Sequence, residues 1–296
     1  MKKIKLLLCL FMLTTLCGCS NSNKNESSKT LNAAMFWIST SLDPTNNYDG
    51  WVLSRIGVGE TLLKLNEKYE VEPYLAKSYE QIDDTTWKLT LKDSITFSNG
   101  KKVTGENVKS CLERAFEKNT RAIDYFDLNH VEAKGQDIYL YLNKSSGAIL
   151  NNLCEPLFTI YDASQSEEDI ANHPLCTGPF VVDDFVSEKT IDTSKNKKYY
   201  DGKAKLDHVH FSQVADSDAR VLALQSGEVD LANTIDYSSL KLFRNNKDYQ
   251  VLEVLGPRTN VIYMNNETTF LSDLTIRKAL SYSVNRKSIV KLIGGK

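Results

Sequence analysis

The chain has 296 residues and a mass of 33.4 kDa, enough for roughly two ordinary domains. Hydrophobic residues make up 41% and charged residues 25%, a globular balance that excludes long disorder and collagen-like structure. The formal charge is −2 and the 36 basic residues are scattered rather than striped, which excludes a dedicated nucleic-acid binder.

The N-terminus reads as an export signal. Lys2, Lys3 and Lys5 form a basic leader, and residues 6–16 are almost purely apolar but too short to span a membrane comfortably. Leu16-Cys17-Gly18-Cys19 resembles a bacterial lipobox, which predicts a signal peptide over 1–18 and lipidation of Cys19. Cys17 departs from the usual small residue of that motif, and an ordinary cleaved secretory peptide is the alternative. Residues 19–30 are a polar tether. Two or more acyl chains on Cys19 would anchor the protein stably. Removal of 1–18 deletes three lysines and takes the formal charge from −2 to −5. The expected location is the extracytoplasmic face of a bacterial cell membrane.

In chain order, residues 31–39 predict a first strand, ended by Leu42-Asp43-Pro44. Alternation over 87–91 predicts a half-buried strand with Trp87, Leu89 and Leu91 facing a core, and Ser98-Asn99-Gly100-Lys101 a turn. Thr104 reads as an N-cap, followed by Val108, Cys111, Leu112, Ala115 and Phe116 at helical spacing. Residues 137–142 alternate again. Thr177-Gly178-Pro179-Phe180 opens a strand, and another alternates around Val209. Ser217 is expected to cap a helix over 218–226, stopped by Gly227 before a strand over 228–232. Residues 260–265 predict a strand; 274–283 and 287–293 predict short helices. The chain is mixed α/β.

Seven segments together resemble the family 5 extracellular solute-binding proteins. They are Leu42-Asp43-Pro44, residues 73–80 from Pro73 to Glu80, residues 96–100, Thr177-Gly178-Pro179-Phe180, residues 224–230, Val261 to Asn266, and Ile276 to Arg286. These are collinear and cover nearly everything from residue 31 onward. The resemblance implies a receptor for an ABC importer rather than an enzyme. It implies a two-lobed periplasmic-binding-protein-like fold of type II, with an inserted subdomain. Lobe one would comprise 31–47 and 173–257, the inserted subdomain 48–172, and the crossover into lobe two 258–296. A chain ending at Gly294-Gly295-Lys296 would then hold only the start of lobe two and is expected to be a truncated receptor.

Most motif residues have structural reasons: Gly100, Gly178 and Gly227 suit turns, and Asp230 and Arg277 suit fold-stabilising contacts. Enzyme motifs are weak. Ser238-Ser239-Leu240-Lys241 and Ser98-Asn99-Gly100-Lys101 have S-x-x-K spacing but lack companion motifs. No G-x-S-x-G, P-loop, H-E-x-x-H or C-x-x-C occurs. No catalytic residue, metal site or cofactor is expected. His208 and His210 share a strand face opposite Val209 and Phe211 and read as solvated. Of the cysteines beyond the export segment, Cys111 reads as core, while Cys154 and Cys176 are a candidate pair in an oxidising compartment.

The candidate ligand-binding residues are Tyr48, Trp51, Arg121 and Tyr125. Tyr48 and Trp51 flank a glycine-containing loop, where flat side chains can line a cleft; packing of Trp51 beneath the subdomain is the alternative. Arg121 and Tyr125 match an Arg and an aromatic residue that meet the ligand in nickel-type relatives, and Arg suits carboxylates of peptides or metal chelates alike. A second cleft Arg of those relatives falls near Phe158-Thr159 here and is missing. The expected partners are a peptide, or alternatively a nickel chelate, the permease and ATPase subunits of the importer, and the membrane through the anchor; the protein is expected to be a monomer. A non-transporting surface lipoprotein, or the remnant of a broken receptor gene, is the further alternative.

Overall fold

The computed structural model describes residues 28–254, 256 and 260–293. The export segment and Cys19 lie outside the described residues. Along the chain run β1 (Thr30–Met35), α1 (Gly50–Arg55), β2 (Leu63–Leu65), β3 (Val71–Pro73), β4 (Ala76–Gln81), β5 (Thr86–Leu91), α2 (Gly105–Lys118), α3 (Ala122–Tyr125), β6 (Leu128–Lys134), β7 (Asp137–Leu142) and α4 (Ile149–Asn152). They are followed by α5 (Glu167–Asn172), β8 (Phe180–Val186), β9 (Thr190–Lys195), β10 (His208–Gln213), α6 (Ser217–Ser226), β11 (Leu231–Ala232), α7 (Leu274–Ser283) and α8 (Arg286–Leu292).

Two larger sheets organise the fold. The first has the order β11-β1-β10-β9-β8, with β1 parallel to both β10 and β11. Within it, β1 meets a different layer on each face, since successive side chains along a strand point to opposite sides. Ala33 and Met35 join the main core, while Ala34 packs with Ala223 and Val229 under α6. The parallel pairing of β1 with β10 and β11 needs long connections, and residues 36–207 and α6 supply them. The second sheet is antiparallel, β4-β5-β7-β6, and α2 packs on it. Leu89, Leu91, Ile138, Leu140 and Val131 turn inward from it, and α2 answers with Val108, Cys111, Leu112 and Ala115. Trp87 packs against the same core but keeps some exposure.

The helix starts follow local chemistry. Asn107 Oδ1 accepts from both the Thr104 N–H and its hydroxyl, at 3.0 and 2.9 Å, at the head of α2. Helix α6 is capped by Asp216, whose Oδ1 accepts from Ala219 N–H at 2.8 Å, so the expected cap at Ser217 is displaced by one residue. Gly227 ends it in the left-handed region, φ +76°, as predicted.

Three expected strands are shorter than their patterns or absent. β1 stops at Met35 because side-chain carbonyls take the next amides: Asn233 accepts from Phe36 N–H at 3.0 Å and Gln213 from Ile38 N–H at 2.6 Å. The strand expected over 228–232 is cut to Leu231–Ala232, since Glu228 and Val229 N–H turn back onto the Ala223 carbonyl. Residues 260–265 form no strand. Val261, Ile262 and Tyr263 are 60–92% exposed there, and an apolar alternating segment becomes a strand only beside a partner strand. Cys111, Cys154 and Cys176 are all free thiols, which corrects the candidate pairing of Cys154 with Cys176. Cys176 instead pairs its backbone with Tyr161, whose own backbone contacts Cys111 Sγ. His208 is exposed, and His210 Nδ1 sits 2.6 Å from Asp192 Oδ1 on the outward face. Among the described residues, no helix is long and apolar enough to cross a membrane.

Candidate functional site

The loop between β1 and α1 is fastened from below by a buried ion network. Arg114 of α2 donates to both Asp43 carboxylate oxygens, to Thr45 Oγ1 and to Tyr161 Oη, and also reaches Glu167 at 2.5 Å. Burial alone would raise the Asp43 carboxyl, but the Arg114 and Thr45 hydrogen bonds outweigh it and hold it below the ordinary carboxylate value. Asn119, the residue that ends α2, adds a second clamp. Its Nδ2 donates to the carbonyls of Thr45 and Asn47, both at 3.1 Å, while its Oδ1 accepts from Arg121 N–H at 3.0 Å. One buried amide thus fixes the loop and the start of α3 together.

That clamp brings all four sequence-nominated residues to one surface. The Arg121 guanidinium carbon lies 3.7 Å from the Tyr48 ring centroid, a close cation–π stack. Arg121 Nη1 donates to the Asn47 carbonyl at 3.0 Å and Nη2 to Tyr125 Oη at 2.6 Å. Asn47 adopts φ +45°, which turns its carbonyl toward the guanidinium; Asn tolerates that region better than most residues. Tyr125 is half-buried and packed edge-on to buried Phe158. Phe158 and Thr159, near which the resemblance places a second cleft Arg, are both buried. Tyr48 and Trp51 remain 55% and 38% exposed.

Glu155 was not legible as a site residue. Its Oε1 accepts from Trp51 Nε1 at 2.9 Å, and its negative charge also acts on the Tyr125 phenol. Burial, reinforced by the Glu155 charge and opposed by Arg121, pushes the Tyr125 phenol up to about 12, so it stays protonated at physiological pH. The contact joins residues 104 positions apart, and no local pattern announces it. Trp51 also carries the Arg55 guanidinium 5.6 Å from its ring centroid.

Beneath Trp51 lies a cavity of ≈ 350 Å³, lined among others by Glu60, Lys64, Tyr74, Pro156 and Thr159. Glu60 is buried there and accepts from Thr177 Oγ1 at 2.7 Å and Tyr199 Oη at 2.8 Å, which joins residue 60 to the 177–199 region. Among the described residues, no group of three or more His, Cys, Asp or Glu side chains gathers to hold a metal ion. The arrangement offers reversible recognition by charge and aromatic surface.

The mixed α/β fold is similar to that of solved solute-binding proteins. The crystal structure of NikA from Staphylococcus aureus in complex with Ni(L-His)2 matches with TM-score 0.70 and 33% identity, covering 74% of this chain and 46% of that one. The nickel-binding protein NikA of Staphylococcus aureus is 32% identical over 274 residues, which is 93% of this chain and 54% of that protein. The glutathione-binding protein GsiB of Escherichia coli is 27% identical over 241 residues, 78% of this chain and 47% of that protein. Residues 70–296 match the model of the bacterial extracellular solute-binding proteins, family 5 Middle, and the chain belongs to this family of receptors. It spans about half the length of the curated relatives it matches.

Proposed function

We propose that the protein is the lipid-anchored substrate-binding component of an ABC importer, and that it captures a small carboxylate-bearing solute at Arg121. Tyr48, Trp51 and Tyr125 supply the aromatic walls. The observation that carries this reading is the Arg121 guanidinium, held over the Tyr48 ring and tied, among the described residues, by two of its five N–H donors to Asn47 and Tyr125. The remaining donors suit the two oxygens of a carboxylate. In this reading, 31–47 and 173–257 form lobe one, 48–172 its inserted subdomain, and 258–296 the passage toward lobe two. Closure of the lobes over the ligand gives the form that the permease and ATPase subunits recognise. Cys19 provides the anchor.

Relatives at 32–33% identity support a nickel complex as the solute. Since the described residues gather no metal-ligand cluster, nickel would arrive within a chelate whose carboxylates meet Arg121. A second reading, a peptide-like solute, is favoured by the likeness to GsiB. Calorimetric titration with nickel–histidine and with glutathione separates the two. Arg121→Gln should weaken whichever binds by about 1.5–3 kcal/mol, the scale of a charge-assisted hydrogen bond. Unchanged affinity in that variant overturns the assignment of the site.

A further inference from the structure

Four backbone carbonyls converge on one buried cation. Arg220 lies near the start of α6 and is 3% exposed. Its Nη1 donates to the Val214 and Ala215 carbonyls at 2.6 and 2.8 Å, its Nε to that of Asn233 at 3.0 Å, and its Nη2 to that of Thr234 at 2.6 Å. The first two carbonyls follow β10 and the other two follow β11, so one guanidinium ties the carboxyl ends of both strands. The end of β1, between them, is held by the same residues. Met35 O accepts from Val214 N–H at 2.8 Å, Ala34 O from Asn233 N–H at 3.1 Å, and Asn233 Oδ1 from Phe36 N–H at 3.0 Å. Thr234 holds φ +53°, a region that β-branched residues rarely adopt. Strain of this kind persists only where the surroundings impose it, and the Arg220 fork is what grips that residue.

This clamp is continuous with the candidate site. The Arg55 guanidinium carbon lies 5.3 Å from the Phe36 ring centroid and 5.6 Å from that of Trp51, so one cation bridges the end of β1 and α1. Ligands of open α/β sheets bind outside the carboxyl ends of the strands, which is where Phe36 stands. We propose that Arg220 is a positioning residue for the candidate site. Through Asn233 it fixes Phe36, and through the Phe36–Arg55–Trp51 stack it fixes the Trp51 ring. This role rests on the reading of Trp51 as a wall of that site. Lysine cannot replace Arg220 in it, because an ammonium is a point charge on a flexible stem, whereas a guanidinium spreads five N–H donors in a rigid fork.

The chain has three tryptophans, Trp37, Trp51 and Trp87, so labelling with 5-fluorotryptophan gives three fluorine resonances, assigned by single changes to phenylalanine. Arg220→Lys should shift the Trp51 resonance and leave that of Trp87, on the second sheet, in place. Asn233→Ala keeps the carbonyl that Arg220 grips but loses the acceptor for Phe36 N–H, and should move Trp51 in the same way. The double variant should move it no further than Arg220→Lys alone, since both changes break one link. Calorimetry with nickel–histidine and with glutathione should show the affinity that the parent has reduced about two- to thirtyfold by Arg220→Lys. A Trp51 resonance at the parent's position in both variants overturns the role of Arg220 and leaves the reading of Trp51 standing. A displaced Trp51 resonance with the parent's affinity overturns that reading, and the role of Arg220 with it. Additive shifts in the double variant overturn the route through Asn233. Thermal melting checks folding; if Arg220→Lys does not fold, Asn233→Ala decides alone.

Discussion

Arg114 grips Asp43 with two parallel hydrogen bonds, Nη1 to Oδ1 at 2.8 Å and Nη2 to Oδ2 at 2.7 Å, with both side chains largely withdrawn from water. The pair joins α2 to the loop that carries Tyr48, and so ties the second sheet to the candidate site. Its removal should be felt far from either residue.

Arg114→Met leaves the Asp43 carboxylate buried without its cation, and should destabilise the protein by about 3–5 kcal/mol at neutral pH. Chemical denaturation measures it. The pH dependence has a definite sign. Because the folded Asp43 carboxyl sits below the ordinary value of about 4, its contribution is fully present above that value and is lost as pH falls through the folded pKa. The deficit of Arg114→Met relative to the parent should therefore be largest at neutral pH and shrink as pH falls into the acid range. A variant as stable as the parent at pH 7 would show that the pair is energetically neutral.

Asp49 behaves in the opposite sense. Burial, helped by the nearby Asp43 charge and opposed by the Asn46 hydrogen bond, pushes its carboxyl up to about 6. A raised carboxyl favours the protonated folded state, so stability should fall as pH rises from about 4 to 6 and then level off. Asp49→Asn should flatten that limb and raise stability above pH 6 by about 1–2 kcal/mol. Melting temperatures at pH 5 and pH 7.5 test this; a variant with the parent's slope overturns it.

Gly50 starts α1 in direct contact with the turn at Pro156. A Cβ there would lie 2.3 Å from the Pro156 carbonyl oxygen, so Gly50→Ala must push α1 and the 156–158 turn apart. The expected cost is about 1–3 kcal/mol. The displacement should also disturb the Trp51–Glu155 hydrogen bond and shift tryptophan fluorescence. An unchanged melting temperature would place the helix farther from that turn.

Asn119→Ala removes the amide that fastens two loop carbonyls and the Arg121 N–H. The loss should be about 1–3 kcal/mol, since it orphans partners in a buried setting. It should also loosen Arg121 and weaken binding of the proposed carboxylate-bearing solute. Equal stability and affinity to the parent would mean that other contacts hold the loop.

The free thiols should be slow to react in the folded protein. Burial raises Cys154 to about 11 and Cys111 to about 12, and only the thiolate is nucleophilic. Half-buried Cys154 should label first with an aromatic disulfide reagent, and Cys111 and Cys176 only on unfolding. Rapid labelling of all three in the native state would contradict the packing.

By itself the sequence determined the elements whose signals are local. The capped helix after Thr104, the alternating strands at 86–91 and 137–142, the turn at Gly100 and the helix Leu274–Ser283 all answer to spacing and caps within about a dozen residues. Tyr48, Trp51, Arg121 and Tyr125 could be nominated, because exposed aromatics and an Arg carry their chemistry in their side chains. Only the tertiary structure decided that they meet. Arg114 with Asp43, Asn119 with Asn47, and Trp51 with Glu155 are bonds across 71, 72 and 104 residues. Polar groups of this kind are buried only because a distant partner satisfies them, and no sequence window contains both halves of the bond. The same reason leaves residues 260–265 without a strand: alternation describes one face of a chain, but a strand exists only when a second backbone supplies its hydrogen bonds.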